Sequence, residues 1–119
     1  MAEHQFKFTR QQRLRTRAEF SNVFDRKQRN SAGPLLAFIA PNGLELMRLG
    51  ISMSRRVGIA ARRNRIKRML REAFRLGQQE WPKGWDIVVV PRPHEPMTLE
   101  RYCELMRVLV KRIPAEKKP

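Results

Sequence analysis

Apolar residues at helical spacing mark the first element of the chain. Phe20, Val23 and Phe24 lie at positions i, i+3 and i+4, so they share one face of a helix. Thr16 and Glu19 precede them in the S/T-x-x-E pattern of a capping box, in which the two side chains satisfy free backbone groups at a helix start. The pattern predicts a short helix that ends in the polar run DRKQRNSAGP.

The longest helical pattern runs from about Ala60 to Gly77. Its core-facing stripe comprises Ile66, Met69, Leu70, Ala73 and Phe74. At about 100° per residue, the opposite face carries Asn64, Arg68, Arg71 and Arg75, flanked by Arg65 and Lys67. The pattern therefore predicts an amphipathic helix with a cationic outer face, and Gly77 is expected to end it.

Three segments predict strands. LLAFIA (35–40) and LMRLGISMS (46–54) flank the turn sequence PNG, and in the second segment apolar side chains alternate with polar or small ones. These two predict an antiparallel hairpin with one buried face. DIVVVP (86–91) is apolar almost without interruption, which is typical of a strand covered on both faces.

A last helix is predicted after Thr98, which can cap it. Its apolar face comprises Leu99, Tyr102, Cys103, Met106, Leu109, Val110 and Ile113. The element order α-β-β-α-β-α indicates an α+β fold with helices packed on a small mixed β-sheet. The 119 residues fit a single domain, 1–119, with residues 1–15 as a basic arm and 114–119 as a frayed tail.

Charge narrows the possible partners. The chain has 26 Lys and Arg against 11 Asp and Glu, a formal net charge of +15. Such an excess increases self-repulsion in the folded state, so it indicates a polyanionic partner, usually nucleic acid. No stretch approaches the roughly 20 apolar residues of a membrane span, no secretory signal is present, and a single cysteine suits a reducing compartment. We expect a cytoplasmic, nucleic-acid-binding domain.

The positive charge is most concentrated around the long helix. Glu72 is the only acid between Arg55 and Arg75, so like charges repel one another along the helix. A solvated face without a partner is the simpler interpretation, but this density favours contact with nucleic acid. Asn64 could bridge locally, or it could both donate and accept at a base or ribose, whereas the surrounding cations only donate.

Phe20, Phe24 and Phe38 have two interpretations. Their periodicity favours the hydrophobic core. In a nucleic-acid-binding protein, however, phenylalanines on a short helix and a neighbouring strand could line a groove for a single strand. Base stacking there contributes on the order of 1–3 kcal/mol per base.

Catalytic chemistry is sparse. His4 and His94 have no second ligand at metal spacing, and Cys103 lies on an apolar helix face. The chain has no GxxxxGK phosphate loop and no paired carboxylates. We therefore expect no catalytic residue and no metal site in the polypeptide.

One segment identifies a family. Residues 55–68, RRVGIAARRNRIKR, followed by Arg71 and Glu72, resemble the signature of the bacterial ribonuclease P protein component. The pattern R-L-R…F-x-x-V-F (13–24) and the strands LGISMS and IVVVPR follow the family's order, so the resemblance covers roughly residues 10–113. Departures are small: Arg55 and Arg56 replace the usual lysines, and Phe38 stands where a tyrosine is common.

The resemblance implies a non-catalytic subunit of a ribonucleoprotein endonuclease. In that family an RNA subunit positions Mg²⁺ and removes the 5′ leader of precursor tRNA, while the small basic protein binds that RNA and the leader. The implied partners are therefore ribonuclease P RNA and precursor tRNA, bound by a protein that is monomeric within the complex. Mg²⁺ is held mainly by the RNA, and no organic cofactor is implied.

The resemblance also assigns roles to residues. Those expected to bind the catalytic RNA are Arg62, Arg63, Asn64, Arg65, Lys67, Arg68 and Arg71. Those expected to bind the leader are Phe20, Phe24, Phe38, Arg55, Arg56, Arg63 and Asn64. The implied fold is ribosomal-protein-S5-domain-2-like with a left-handed β-α-β crossover through the basic helix, although topology rules alone predict a right-handed one.

Three other classes fit part of the pattern. A structural RNA-binding protein of ribosomal type would share the charge and fold class but would have no leader groove. A DNA regulator fits less well, because the chain shows neither a heptad zipper nor a helix-turn-helix pair. A membrane-surface helix fits the amphipathicity of residues 60–77 but not the flanking strands that bury its apolar face.

Overall fold

The structure, a computed structural model, describes residues 8–113 of the 119-residue chain. The first seven residues, with His4, and the tail predicted over 114–119 lie outside the described residues. In chain order the elements are helix α1 (Arg17–Asp25), strands β1 (Gln28–Ala32), β2 (Leu35–Pro41) and β3 (Arg48–Ile51), helix α2 (Ala60–Gly77), strand β4 (Trp85–Pro91) and helix α3 (Leu99–Lys111). The described residues form the predicted α+β fold, in which three α-helices pack on a four-stranded mixed sheet.

Strand β1 adds an element to the predicted order α-β-β-α-β-α, which is wrong in this respect. Its sequence, QRNSA, shows no apolar alternation, and within it only Ala32 is buried. The strand forms because its backbone pairs with β2 in an antiparallel ladder. Gly33, with φ +56°, and Pro34 make the tight turn between the two strands.

The strand order β1-β2-β4-β3 differs from the predicted arrangement. Strand β2 is antiparallel to both β1 and β4, and β3 is parallel to β4. The predicted hairpin between residues 35–40 and 46–54 is therefore wrong, because β4 lies between those segments. Strand β4 carries an apolar run that is buried on both faces, and the centre of the sheet covers such a run best. Strands β3 and β4 form a β-α-β unit with α2, and the left-handedness of its crossover stays a prediction.

One face of the sheet carries the main core. Helices α2 and α3 cover it, and the predicted apolar stripe of α2 lies against the sheet. Ile66, Leu70 and Phe74 are fully buried, in one cluster with Tyr102 and Leu109 of α3. Burial of a side chain of this size contributes roughly 1.5–3 kcal/mol, so this face supplies most of the stability.

The other face of the sheet is only partly covered. Helix α1 lies over β2 and β4. The buried residues beneath it are Leu14, Val23, Ala40 and Val88. The partly buried residues that pack against this cluster are Phe20, Phe24, Phe38 and Val90. Helix α1 therefore leaves an apolar groove on this face and does not close a second core.

Residues 8–15 pack against the domain, so this described part of the predicted arm over 1–15 is not a free extension. Leu14 is buried, and its backbone N–H donates to the carbonyl of Leu49 at 3.0 Å. The Phe8 ring lies edge-on to Phe74, with 5.5 Å between the ring centroids. Two apolar side chains in an otherwise polar segment anchor it, and they bring the neighbouring arginines to the edge of the sheet.

Helix α2 ends at Gly77 as predicted, but the reason is packing. Gly77 has φ −99°, so it is not a left-handed cap, and a 3₁₀ turn (Gln78–Glu80) follows. A Cβ at Gly77 would overlap the Trp81 ring, whose Nε1 donates to the carbonyl of Phe74 at 2.9 Å. Only glycine leaves room for this tryptophan.

Candidate nucleic-acid interface

The outer side of α2 is cationic over most of its length. This set, called the basic face below, consists of Arg62, Arg63, Asn64, Arg65, Lys67, Arg68 and Arg71. Asn64, Arg65, Arg68 and Arg71 are exposed, and the other three are half-buried. The apolar stripe on the opposite side of the helix is fixed in the core, and this orients the basic face towards solvent.

The turn before α2 places two more arginines at the start of the helix. This 3₁₀ turn (Arg55–Val57) follows Ser54, whose Oγ accepts from the backbone N–H of Arg56 at 3.0 Å. Gly58, with φ +144°, connects the turn to the helix, and its carbonyl accepts from Arg63 Nε at 3.0 Å. Both arginines of the turn stay exposed.

The start of α2 carries charge of unfavourable sign. A helix N-terminus is the positive end of the backbone dipole, where acidic groups stabilise the helix. The first turn of α2 has no acidic residue, and the side chain of its N-cap residue, Ile59, makes no capping hydrogen bond. Arg62 and Arg63 add two cations at the same place. A bound anion would relieve this repulsion.

Part of the positive charge is paired. Arg62 lies 3.3 Å from a carboxylate oxygen of Glu95. Hydrogen bonding from Arg75 lowers the pKa of Glu72, so this predicted outer-face arginine is engaged within its own helix. Within residues 8–113, the members of the basic face that form no ion pair are Arg63, Arg65, Lys67, Arg68 and Arg71. These side chains are available to an anionic partner.

Asn64 is exposed among these cations. Its side-chain amide forms no hydrogen bond with another residue in the part of the chain that the structure describes. The local bridge that the sequence allowed is therefore not formed here, and the amide can both donate to and accept from a ligand.

A second cationic cluster lies where α2 meets the N-terminal segment. A cavity of about 210 Å³ is lined there by Arg13, Arg15, Arg71, Phe20 and Gly50, among others. The guanidinium carbon of Arg13 lies 4.9 Å from the Phe8 ring centroid, within cation–π distance. Although Arg71 is exposed as a residue, partial burial of its guanidinium group, followed by the positive charge of Arg13, lowers its pKa. Two guanidinium groups are thus held near each other, an arrangement that an anion stabilises.

Aromatic rings line the groove between α1 and the sheet. Phe24 and Phe38 pack edge to face, with centroids 4.9 Å apart and an interplanar angle of 80°. Phe20 lies so close to Gly50 that a Cβ there would be 2.8 Å from the ring. Val23 lies between Phe20 and Phe24 in the sequence of α1 and is fully buried, so it anchors the helix on the sheet. Part of each ring packs on the small cluster and part stays open in the groove. The core interpretation is therefore confirmed in part, and the binding of a single strand by these rings stays a prediction.

An ion-pair network holds α1 in place. The predicted capping box is confirmed, because Thr16 Oγ1 accepts from the N–H of Glu19 at 3.1 Å and the Glu19 carboxylate accepts from the N–H of Thr16 at 3.0 Å. Arg48 donates to both carboxylate oxygens of Asp86 at 2.8 Å and to Glu19 at 3.3 Å. Asp86 is only 1% exposed. Backbone hydrogen bonds from Arg15 and Thr16, with the nearby charge of Arg48, lower the pKa of Glu19.

The basic face and the aromatic groove meet at one cavity, because Arg71 and Phe20 both line it. Sequence reasoning missed four cations that border the groove: Arg13, Arg15, Lys27 and Arg29. The sequence does contain a signal for Arg13 and Arg15. They flank the buried Leu14 in an extended segment, and alternate residues of such a segment point to the same side.

Other candidate residues make internal contacts. His94 lies between the carbonyl of Arg92 and the hydroxyl of Tyr102, at 2.8 Å from each. Cys103 is half-buried, and burial raises the pKa of its thiol.

Among residues 8–113, no group of three or more His, Cys, Asp or Glu side chains could hold a metal ion. In the same residues, every helix is too short or too polar to cross a membrane.

The fold and these surfaces define a small basic α+β protein in which a cationic helix face adjoins an aromatic groove. A family model described as Ribonuclease P matches residues 8–114. The chain belongs to this family, which confirms the family resemblance seen in the sequence.

Curated relatives and solved structures agree with this assignment. The Ribonuclease P protein component of Desulfosudis oleivorans is 38% identical over 117 residues, which cover 94% of this chain and 97% of the relative. That of Thermotoga petrophila is 44% identical over 85 residues, covering 71% of this chain and 73% of the relative. The RNase P protein structure from Thermotoga maritima has a TM-score of 0.74 at 38% identity, covering 85% of this chain and 96% of that one. The Staphylococcus aureus structure has a TM-score of 0.73 at 27% identity, covering 84% and 93%.

Proposed function

We propose that the chain is the protein subunit of a ribonuclease P ribonucleoprotein and acts in the cytoplasm as a monomer within that complex. It binds the catalytic RNA and the 5′ leader of precursor tRNA, and it thereby promotes endonucleolytic removal of the leader. The observation that carries the proposal is the junction of the basic face with the aromatic groove at Arg71 and Phe20. A folded RNA and a single-stranded leader need these two different chemistries.

The basic face is the docking surface for the catalytic RNA. Arginine side chains offer planar forks that match phosphate oxygens, and the members without an ion pair in the described residues can turn towards the RNA. If about five of them contact phosphates, log K falls with log salt at a slope near −3.5 to −4.5. An affinity that hardly changes with salt would contradict this part of the proposal.

The aromatic groove is the site for the leader. Open faces of Phe20, Phe24 and Phe38 can stack on bases, and this kind of binding tolerates many sequences. Bases within a duplex have no free faces, so the groove selects a single strand and favours precursor over mature tRNA. Arg55 and Arg56 hold the leader phosphates near the start of α2.

Arg63 and Asn64 serve both RNAs because they lie at the start of α2, next to the turn that carries those two arginines. Asn64 adds mixed donor and acceptor capacity, which the surrounding cations lack.

The hydrolytic chemistry comes from the RNA in this proposal, with Mg²⁺ held mainly by the RNA. The contribution of the polypeptide is electrostatic and positional. Its cations reduce phosphate repulsion between the catalytic RNA and the substrate, and its groove fixes the leader next to the cleavage site. No organic cofactor and no catalytic side chain are assigned to the chain.

The experiment is precursor-tRNA cleavage at low Mg²⁺ by the catalytic RNA, with and without this protein. We expect the protein alone to be inert and the mixture to cleave at the 5′ end of the mature tRNA. A matched control is the Lys83→Ala/Lys111→Ala variant, which loses two exposed cations away from the basic face and should restore cleavage like the natural chain. Unchanged cleavage by the RNA would refute the proposal, and binding to ribosomal RNA would then be measured.

A further inference from the structure

The groove has a cationic pocket at the end farthest from α2. A cavity of about 390 Å³ is lined there by Phe24, Lys27, Arg29 and Phe38. Arg29 lies on β1 directly opposite Phe38 of β2, so the two side chains share one face of the sheet. The guanidinium carbon of Arg29 is 6.0 Å from the Phe38 ring centroid.

Lys27 reaches this pocket from the turn between α1 and β1. Its backbone has φ +58°, a left-handed conformation that favours glycine, and its N–H donates to the carbonyl of Phe24 at 3.1 Å. Lys27 and Arg29 are both exposed, and within residues 8–113 neither forms an ion pair. Asp25, the only acid from residue 25 to 32, pairs with neither of them.

Strand register places this pocket at one end of a row of paired residues that crosses the sheet beneath α1. Gly50 of β3 pairs with Val88 of β4, Val88 with Phe38 of β2, and Phe38 with Arg29 of β1. With strands about 4.8 Å apart, this cross-sheet row is roughly 14 Å long. Stacked nucleotides rise about 3.4 Å each, so the row spans about four of them.

Both ends of the cross-sheet row are cationic. Its middle, at Val88, is buried beneath α1, so a bound strand would follow the side of α1, where Phe20 opens at one end and Phe24 at the other. At the β3 end, the cavity beside Gly50 and Phe20 contains Arg13, Arg15 and Arg71. At the β1 end lie Lys27 and Arg29, with Phe24 and Phe38 before them. Positive charge that tracks a backbone, with rings for the bases, is the pattern of a single-strand site.

We propose that Lys27 and Arg29 bind phosphates of the distal part of the leader, so that the leader site extends across the whole sheet to β1. This rests on the function proposed above, which places the nucleotides nearest the cleavage site at the α2 end. The pair therefore makes affinity depend on leader length. A leader too short to cross the row does not reach the pair.

The test is the Lys27→Gly/Arg29→Ala variant, in which glycine suits the left-handed backbone and the exposed arginine leaves no cavity. Holoenzyme affinity is measured for precursor tRNA with a leader of about eight nucleotides, longer than the row, for a single-nucleotide leader, and for mature tRNA. We expect weaker binding of the long leader only. Because each single-strand phosphate contact adds about 0.7 to the salt slope, the variant should lose about 1.4, and its deficit should shrink about sevenfold between 50 and 200 mM salt.

Controls separate this inference from the proposed function. The Lys83→Ala/Lys111→Ala variant loses the same charge elsewhere and should keep the leader-length dependence. Arg29→Lys keeps the charge and should restore much of the long-leader affinity in an otherwise natural chain. If the natural protein does not discriminate by leader at all, the proposed function fails. If it does and Lys27→Gly/Arg29→Ala binds the long leader like the natural chain, only the present inference is overturned.

Discussion

Replacing Arg48 with methionine should destabilise the domain strongly. Arg48 donates two hydrogen bonds to Asp86 and one to Glu19, so it connects the centre of the sheet to the first turn of α1. Asp86 is only 1% exposed, and Asn42 is its other side-chain partner, at 2.8 Å. The substitution leaves the buried carboxylate of Asp86 with one neutral side-chain donor. It also removes the hydrogen bond from Arg48 that holds the first turn of α1.

The expected magnitude follows from this geometry. Removing one partner of a buried ion pair costs roughly 3–5 kcal/mol. The side chain of Arg48 is 20% exposed and the hydrogen bond from Asn42 remains, so the lower end applies. A loss of about 3 kcal/mol lowers Tm by roughly 10–20 °C in a domain of this size.

Thermal and urea unfolding followed by circular dichroism measure the effect. Arg48→Met/Asp86→Leu removes both charges and should recover most of the loss, because the cost lies in the unpaired buried charge. Arg101→Met breaks an exposed pair with Glu104 and should cost less than about 1 kcal/mol. If Arg48→Met had the same Tm and urea midpoint as Arg101→Met, burial of the Asp86 carboxylate would not require the Arg48 guanidinium. That result would refute the reasoning.

Three further predictions concern the groove, the basic face and acid stability. Phe24→Ala should weaken binding of precursor tRNA by on the order of 1–3 kcal/mol while sparing mature tRNA; equal losses in filter binding would indicate a purely structural ring. Arg65→Gln/Arg68→Gln should reduce the salt slope of catalytic-RNA binding by roughly 1.4–1.8, with an unchanged circular dichroism spectrum because both side chains are exposed; an unchanged slope would place the RNA elsewhere. Glu19→Gln should destabilise the protein at neutral pH. Because folding lowers the pKa of Glu19 from its ordinary 4.5, that stability is present above 4.5 and lost as the pH falls through the lowered pKa, so the two unfolding curves should converge in acid. A constant difference across pH would exclude this linkage.

Helix α2 shows what the sequence can predict. Its apolar stripe repeats over 18 residues, and the structure buries Ile66, Leu70 and Phe74 as the pattern requires. The capping box at Thr16 was equally predictable, because it depends on two side chains three residues apart. Both features are local, so spacing alone determines them.

Sheet order is not local, and there the prediction was wrong. The turn PNG made a hairpin between residues 35–40 and 46–54 the simplest interpretation. The structure instead inserts β4 between them, because burial on both faces outweighs nearness in sequence. The sequence did not predict strand β1, for the opposite reason. Its polar residues bury little, and the strand is held at the edge by backbone pairing to β2 and by contacts with α3.

These two misses explain which part of the candidate site remained hidden. Alternation along a strand shows which face a side chain occupies, but only register shows what lies beside it. Arg29 lies beside Phe38 because β1 exists and pairs with β2, and Phe38 lies in line with Gly50 because β4 joins their strands. A reader of the sequence sees an arginine in a polar loop. The sheet places this arginine beside the aromatic groove, so the extent of the proposed leader site depends on strand order and not on any motif.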